Sequence, residues 1–365
     1  MKFRCERDVL ADALATARRA AATRSTGLQV LSGLRLELQG SHLTVTGTDL
    51  ELTIQCSIEV SAVTEGSAVI PGALSADIVR SFDAGAVEME VDGDEVSINS
   101  GRSQFSVRTL PVEEFPRLPE PGGRGVSLPA AELAEALRQV VRAASTDESR
   151  PILTGVRLEP AEGGGLRLVA TDSYRLALRD LAGTEVLSGD QRVLVPAKAL
   201  SELVRAIGHA GDVVVSLGER EVSFQADGVR LTTRLIEGEF PNYRQLIPSS
   251  YPNRITVGKD AFLDAIRRVK LLAGDSKNVR ISLQAGGLQL SAVSQEWGQA
   301  SEYLDADYNG AEFVVAFNPD YLSSGVEAIS GDEVSLDTMD AMKPAVLRNP
   351  ADPSYLYLLM PVRVS

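Results

Sequence analysis

The stretch Leu166-Arg167-Leu168-Val169-Ala170-Thr171-Asp172-Ser173-Tyr174-Arg175-Leu176 has an earlier counterpart, Leu43-Thr44-Val45-Thr46-Gly47-Thr48-Asp49-Leu50-Glu51-Leu52. Their Thr-Asp pairs lie 123 residues apart. A fainter copy, Leu288 to Gln295, places Ser294 a further 123 residues beyond Thr171. So long a period does not fit a solenoid, whose units run to about 20–45 residues. It implies three tandem copies of one domain, and a chain of 365 residues has room for them.

Other elements keep the same step. Each third opens with an amphipathic helix pattern: Val9, Leu10, Ala13, Leu14 and Ala17; then Leu133, Leu137, Val140 and Val141, with Pro129 at the first turn; then Phe262, Leu263, Ile266 and Val269. Alternating strands follow (Leu34–Leu38, Val156–Glu159, Val279–Leu283), each joined to the repeat stretch by a Gly-bearing turn. A strand ending at Pro71, Pro196 or Asn318 then leads into a second helix. Leu110, Leu235 and Met360 step by 125 and are assigned one repeat position. Pro- and Gly-rich joints at 118–123 and 247–252 read as linkers. The expected architecture is α+β: domains at 1–124, 125–250 and 251–365, each with two helices and about eight antiparallel strands.

Composition narrows the function. Cys5 and Cys56 are the only cysteines, and free packed thiols are expected. The N-terminus has no apolar signal-peptide core, and no run of about 18 apolar residues occurs. Taken alone, the net charge of −14 argues against a nucleic-acid binder, because neutralising phosphate needs Lys and Arg. The charge is segregated, however. Windows 6–20, 75–82, 129–145, 196–209, 259–273 and 318–330 hold 12 basic and 11 acidic residues, so the excess acid lies on strands and loops. Arg18, Arg19, Arg138, Arg142, Arg267, Arg268 and Lys270 fall near the ends of the three opening helices. Cations there complement a helix dipole; their recurrence also fits a shared surface facing phosphate.

Catalytic signatures are absent from the sequence. There is no phosphate loop and no dinucleotide fingerprint, and Gly274-Asp275-Ser276-Lys277 lacks the required spacing. His42 and His209 have no ligand partners at metal spacing, so neither metal nor cofactor is expected. Asp49 and Asp172 are candidate acid and base residues. As repeat equivalents beside Thr at a strand bend, they are read instead as satisfying local backbone donors. Leu153, Leu176, Leu358, Leu359 and Met360, with Pro241 and Pro344, form either ordinary core or an apolar cleft rimmed by Arg175 and Arg244. Trp297 receives no role from the sequence.

Six segments together resemble one family. They are Met1-Lys2-Phe3 with Glu6-Arg7, Thr46–Glu51, Ser100–Ser103, Ala170–Ala177, Gly238–Tyr243 and Leu359–Arg363. In this order and spacing, over the whole chain, they resemble the bacterial DNA polymerase III β subunit, the sliding clamp. The resemblance implies a head-to-tail homodimer of six domains closing into a ring, helices inward. It would hold double-stranded DNA independently of sequence and without catalysis, in the bacterial cytoplasm at the nucleoid. Implied partners are the polymerase III catalytic subunit, the clamp loader, and translesion, mismatch-repair and ligase proteins, with no membrane. Their short hydrophobic motifs would share a pocket of Leu153, Thr171, Ser173, Tyr174, Arg175, Leu176, Pro241, Gln245, Leu246, Pro344, Leu358, Leu359, Met360 and Pro361.

The same resemblance places Arg24, Arg138, Arg142, Lys198, Arg205, Arg267 and Arg268 toward DNA. Gly72 and Ala73 depart from members that carry basic side chains there. A dimer seam is implied at Arg102, Phe105 and Arg108 against Leu271, Leu272, Glu296 and Glu302, with Arg102 and Arg108 pairing the acids. Three alternatives stay open: a specialised or resistance-type clamp paralogue, an enzyme using Asp49 or Asp172, and a peptide-binding scaffold that never encircles DNA.

Overall fold

Alternating apolar residues make strands here because one face of each can be buried against a helix. A computed structural model describes residues 1–23, 28–118, 122–183, 185–187, 189–208, 210–248, 250–274, 278–308 and 310–363. It contains α1 (Arg7–Arg18), α2 (Gly72–Ser81), α3 (Ala130–Val141), α4 (Ala197–Ile207), α5 (Lys259–Lys270) and α6 (Pro319–Ala328). Each falls in its expected window or, for α2, starts three residues earlier. Pro129 and Pro196 close strands and the helices begin one residue later. The apolar faces are buried as the periodicity requires, except that Val9 is exposed on α1 and Val141 is half-buried on α3. Gly47 is needed where α1 crosses the sheet: a Cβ there would lie 2.1 Å from the Ala17 carbonyl oxygen.

Among the described residues, four antiparallel sheets carry the helices. A five-stranded sheet runs Ser61–Thr64, Lys2–Glu6, Ala86–Asp92, Glu95–Ser100, Ser103–Arg108. A four-stranded sheet runs Gly298–Asp305, Gly287–Ser294, Val279–Gln284, Phe313–Phe317. The two eight-stranded sheets each combine four strands of one third with four of the next. In the first, Val229–Arg234 pairs with Leu52–Glu59, with Leu231 opposite Ile54. In the second, Asp352–Leu359 pairs with Arg175–Leu181, with Tyr357 opposite Ala177.

Those joins explain the packing. The described chain divides into two compact units, Met1–Ala134 with Ala199–Leu235, and Glu135–Lys198 with Ile236–Ser365. The middle third gives half its strands to each. The pairing also corrects one repeat assignment. Leu110, Ile236 and Val362 each donate a backbone N–H to an inner strand, at Val69, Leu194 and Ala316. The step in this part of the repeat is therefore 126, and Met360 is equivalent to Arg234 and Arg108, not to Leu235 and Leu110. One added residue in a connection shifts the count without changing the strand.

Cys5 and Cys56 are free and buried. No helix among the described residues is long and apolar enough to cross a membrane.

Candidate functional site

The recurrent Thr-Asp stretch folds as one turn, used twice. Asp172 Oδ1 accepts the backbone N–H groups of Tyr174 (2.9 Å) and Arg175 (3.0 Å), and Thr171 Oγ1 accepts that of Ser173 (3.2 Å). Thr171 Oγ1 in turn donates to the Arg175 carbonyl at 2.7 Å. In the first third, Asp49 Oδ1 accepts from Glu51 and Leu52, and Thr48 Oγ1 accepts from Leu50. The third turn residues, Leu50 and Ser173, take the left-handed conformation, φ 77 and 82. The carboxylates are thus occupied by backbone donors, as the local reading of the sequence requires. That leaves the acid–base alternative without free groups at this turn.

At Asp172 the turn also has side-chain partners. Arg175 Nε donates to Asp172 Oδ2 at 2.9 Å, and its guanidinium carbon lies 4.4 Å from the centre of the Tyr321 ring. Tyr174 stacks on Tyr321, centroids 6.4 Å apart. Tyr321 is not legible as a site residue from the sequence. Its signal is Asn318-Pro319: Asn318 Oδ1 caps α6 by accepting from Asp320 and Tyr321, which fixes Tyr321 in the first turn.

The turn closes over an apolar floor. Val169, Leu176, Leu178, Tyr243, Val346 and Leu358 form one buried cluster, with Phe240, Ile247, Tyr251 and Leu356 packed against it. Strand register brings Leu176 opposite Leu358, Arg175 opposite Leu359, and Leu359 opposite Ala345 beside Pro344. The chain end is fastened where Met360 donates its N–H to the Tyr174 carbonyl (2.9 Å), followed by half-buried Pro361. Leu153 is buried in the turn Pro151–Thr154, over which the 238–246 segment passes: a Cβ on Gly238 would meet Ile152 at 3.0 Å. Of the fourteen cleft candidates, Leu153, Thr171, Leu176, Leu358 and Leu359 are buried. Large apolar exposure is left at Tyr174, Leu246, Met342 and Met360. The floor is core, and the rim is open.

A buried carboxylate holds one wall. Glu159 Oε1 accepts from Tyr243 Oη (2.5 Å) and Arg244 Nη2 (2.7 Å). Arg157 Nε lies 2.7 Å from Glu159 Oε2. The two form an ion pair, but neither atom makes a hydrogen bond. Burial, and then the bond to Glu159, push the Tyr243 phenol up to about 12. It therefore stays a donor and pins the turn Tyr243–Leu246, which presents Gln245 and Leu246. Arg244 is thereby a partner of Glu159 and not a free rim cation.

The expected DNA-facing cations mostly have acidic neighbours. Arg138 binds Glu135, Arg142 and Arg267 both reach Glu327, and Arg205 binds Glu202. Arg268 takes both oxygens of Glu302 at 2.6 and 2.9 Å. Here a residue expected on the DNA side holds one expected at the seam, because α5 lies over the strand Gly298–Asp305. Glu302, the acid expected to pair with Arg102 and Arg108, is therefore already paired within its own chain. Lys198 is exposed near the start of α4. Arg24 and His209 lie outside the described residues. Phe105 is 41% exposed and Leu271 82%, while Leu272 is half-buried and Glu296 exposed. No group of three or more His, Cys, Asp or Glu side chains able to hold a metal occurs among the described residues.

Family models of the DNA polymerase III beta subunit match in order: the N-terminal domain over residues 1–119, the central domain over 127–242 and the C-terminal domain over 244–363. The chain belongs to this family, the beta sliding clamps. It is 37% identical to the beta sliding clamp of Streptomyces coelicolor, with all of both chains covered. The sliding clamp crystal structure from Bacillus subtilis superposes with a TM-score of 0.93 at 31% identity, again over all of both chains. A clamp from Bartonella birtlesii, solved bound to griselimycin, gives 0.94 at 31% identity with the same coverage. The chain is accordingly a DNA sliding clamp, a non-catalytic processivity subunit of DNA polymerase III.

Proposed function

We propose that this clamp works as a head-to-tail homodimer that surrounds duplex DNA without reading its sequence. We propose further that the cleft beneath the Thr171–Arg175 turn receives short hydrophobic segments of its partners. The polymerase III catalytic subunit, the clamp loader, and translesion, mismatch-repair and ligase proteins would compete for it. The repeating unit is the domain at 1–124, 125–250 and 251–365, and the site of action is the cytoplasmic nucleoid.

One observation carries the closure. Each join inside the chain pairs two strand types: Val229–Arg234 with Leu52–Glu59, and Asp352–Leu359 with Arg175–Leu181. Among the described strands, the first type has one further member, Ser103–Arg108, and the second has one, Gly298–Asp305. Both are sheet edges. Unpaired edges attract pairing partners, and two copies satisfy all of them by repeating the same join twice. The exposed face of Phe105 fits this. Its equivalents Leu231 and Tyr357 are fully buried at the internal joins.

The paired helix arginines support weak, movable DNA contact. Exposed ion pairs are worth about 0–1 kcal/mol, so phosphate can displace the acid, and no single contact is strong enough to stop sliding. Sparse base-reading side chains on the helices fit the same role. For the cleft, the buried floor and open aromatic–methionine rim are what a hydrophobic segment needs.

Fluorescence-polarisation titration of a labelled Gln-Leu-hydrophobic peptide tests the cleft. Saturable micromolar binding, about −8 kcal/mol, lost in Met360→Asp and Leu246→Asp, is expected. A well-folded dimer that binds no such peptide would remove the assigned role.

A further inference from the structure

Trp297 is the chain's one tryptophan and is 71% exposed. It stands on the turn between Gly287–Ser294 and Gly298–Asp305, which is held open and rigid. Ser294 Oγ accepts the N–H groups of Glu296 (3.3 Å) and Trp297 (3.2 Å), and Gly298 has φ +105. The turn after α5 lies alongside, since a Cβ on Gly274 would be 3.5 Å from Ser294 Oγ. Leu271 on that turn and Trp297 are the two most exposed large apolar side chains described. Scattered exposed apolar residues are ordinary, but two such side chains on adjoining turns beside an unpaired edge need a partner.

The repeat names that partner's residue. Counting back 123 residues at a time, Trp297 is equivalent to Tyr174 and Glu51. At the internal joins those two residues do the same thing. The Tyr174 carbonyl accepts the N–H of Met360 (2.9 Å), and the Glu51 carbonyl accepts that of Arg234 (3.0 Å). The side chains of the Glu51 pair are also matched, since Arg234 lies 3.6 Å from Glu51 as an ion pair; in the Tyr174 pair the backbone bond sets Met360 beside an aromatic residue, Tyr174. The third equivalent of Arg234 and Met360 is Arg108, which is exposed.

We infer that Trp297 packs against Arg108 of a second copy, its carbonyl accepting the Arg108 N–H and its indole face carrying the guanidinium. This rests on the homodimer reading above. The register follows from both internal joins: Leu52 opposite Thr233 and Arg175 opposite Leu359 map to Gly298 opposite Val107. The pair is then a cation–π contact, with Trp the strongest acceptor for Arg. Ser103, and not Arg102 or Arg108, falls opposite Glu302 in this register, so Glu302 can keep Arg268.

Sedimentation equilibrium and intrinsic tryptophan emission, measured across one dilution series, test this. The dimer is expected to emit to the blue of the monomer, in step with the mass change. Trp297→Ala and Arg108→Ala are each expected to weaken dimerisation about thirtyfold, as a buried anchor does. The double variant should add little, and Trp297→Phe should recover most of the affinity. Trp297 lies on an exposed turn, so its loss leaves folding intact. A dimer whose emission ignores dissociation, and whose constant stays within about twofold in Trp297→Ala, would overturn the inference alone. A wild-type chain that never dimerises would overturn the homodimer reading and this inference with it. Quenching of the monomer's emission by single-stranded DNA, with dimerisation unaffected by Trp297→Ala, would give the residue to nucleic acid instead.

Discussion

The Met360 N–H meets the Tyr174 carbonyl oxygen at 2.9 Å, so the last strand of the chain ends on the turn that opens the candidate cleft. The same bond both completes a sheet join and sets the rim. Met360 is partly exposed, so Met360→Asp should keep the backbone bond and lose the apolar rim. Peptide affinity should fall at least tenfold, with unfolding free energy within about 0.5 kcal/mol of wild type. Polarisation and urea titrations read the two effects separately.

The Glu159 carboxylate is buried and depends on its donors. Tyr243→Phe removes one of them while keeping the ring in the cluster. A loss of about 1–3 kcal/mol is expected, the cost of an unsatisfied buried acceptor. The turn Tyr243–Leu246 should also become easier to cleave by protease. Unchanged urea unfolding would contradict the pinning role.

Alkaline stability should report the join between Leu52–Glu59 and Val229–Arg234. Burial pushes the Cys56 thiol there from 9.0 to about 12. The folded state keeps the proton that the unfolded chain gives up near 9. Stability is therefore complete below pH 9 and declines as pH rises toward 12, by about 1.4 kcal/mol per pH unit for this group. Tyr243, raised to about 12 from 10.0, adds to the decline above pH 10. Cys56→Ala should flatten the profile from pH 9 to 10 in urea titrations; an unchanged slope would contradict the assignment.

The arginine–carboxylate pairs should hold DNA affinity down. Glu135→Gln and Glu302→Gln release Arg138 and Arg268. If those helix ends face DNA, binding to a duplex should tighten a few-fold at low salt. The slope of log K against log salt should steepen by about one for each phosphate that a freed arginine neutralises. Equal slopes would place these arginines elsewhere.

Much of this is legible in the sequence because a period of 2 or 3.6 and a Thr-Asp turn are local properties. The Asp49 and Asp172 turns, the six helices and the tandem triplication all belong to that level. What the sequence hides depends on partners far along the chain. Tyr321 reaches Tyr174, and Glu159 reaches Tyr243, only through sheet order. The one-residue slip that puts Leu235 in place of Arg234 comes from counting identities across a connection of different length. Only strand register corrects it. Arg268 and Glu302, placed on separate surfaces by resemblance, turn out to be ion-paired because α5 lies over an edge strand.

A closed ring would be held on DNA by topology, not by affinity. The direct measurement is retention of loader-assembled clamp on nicked circular plasmid, at salt high enough to screen phosphate contacts, before and after the plasmid is cut. Retention for many minutes on the circle and rapid release on linearisation is the predicted result. Release at one rate from both forms would mean that the chain binds DNA, if at all, without encircling it.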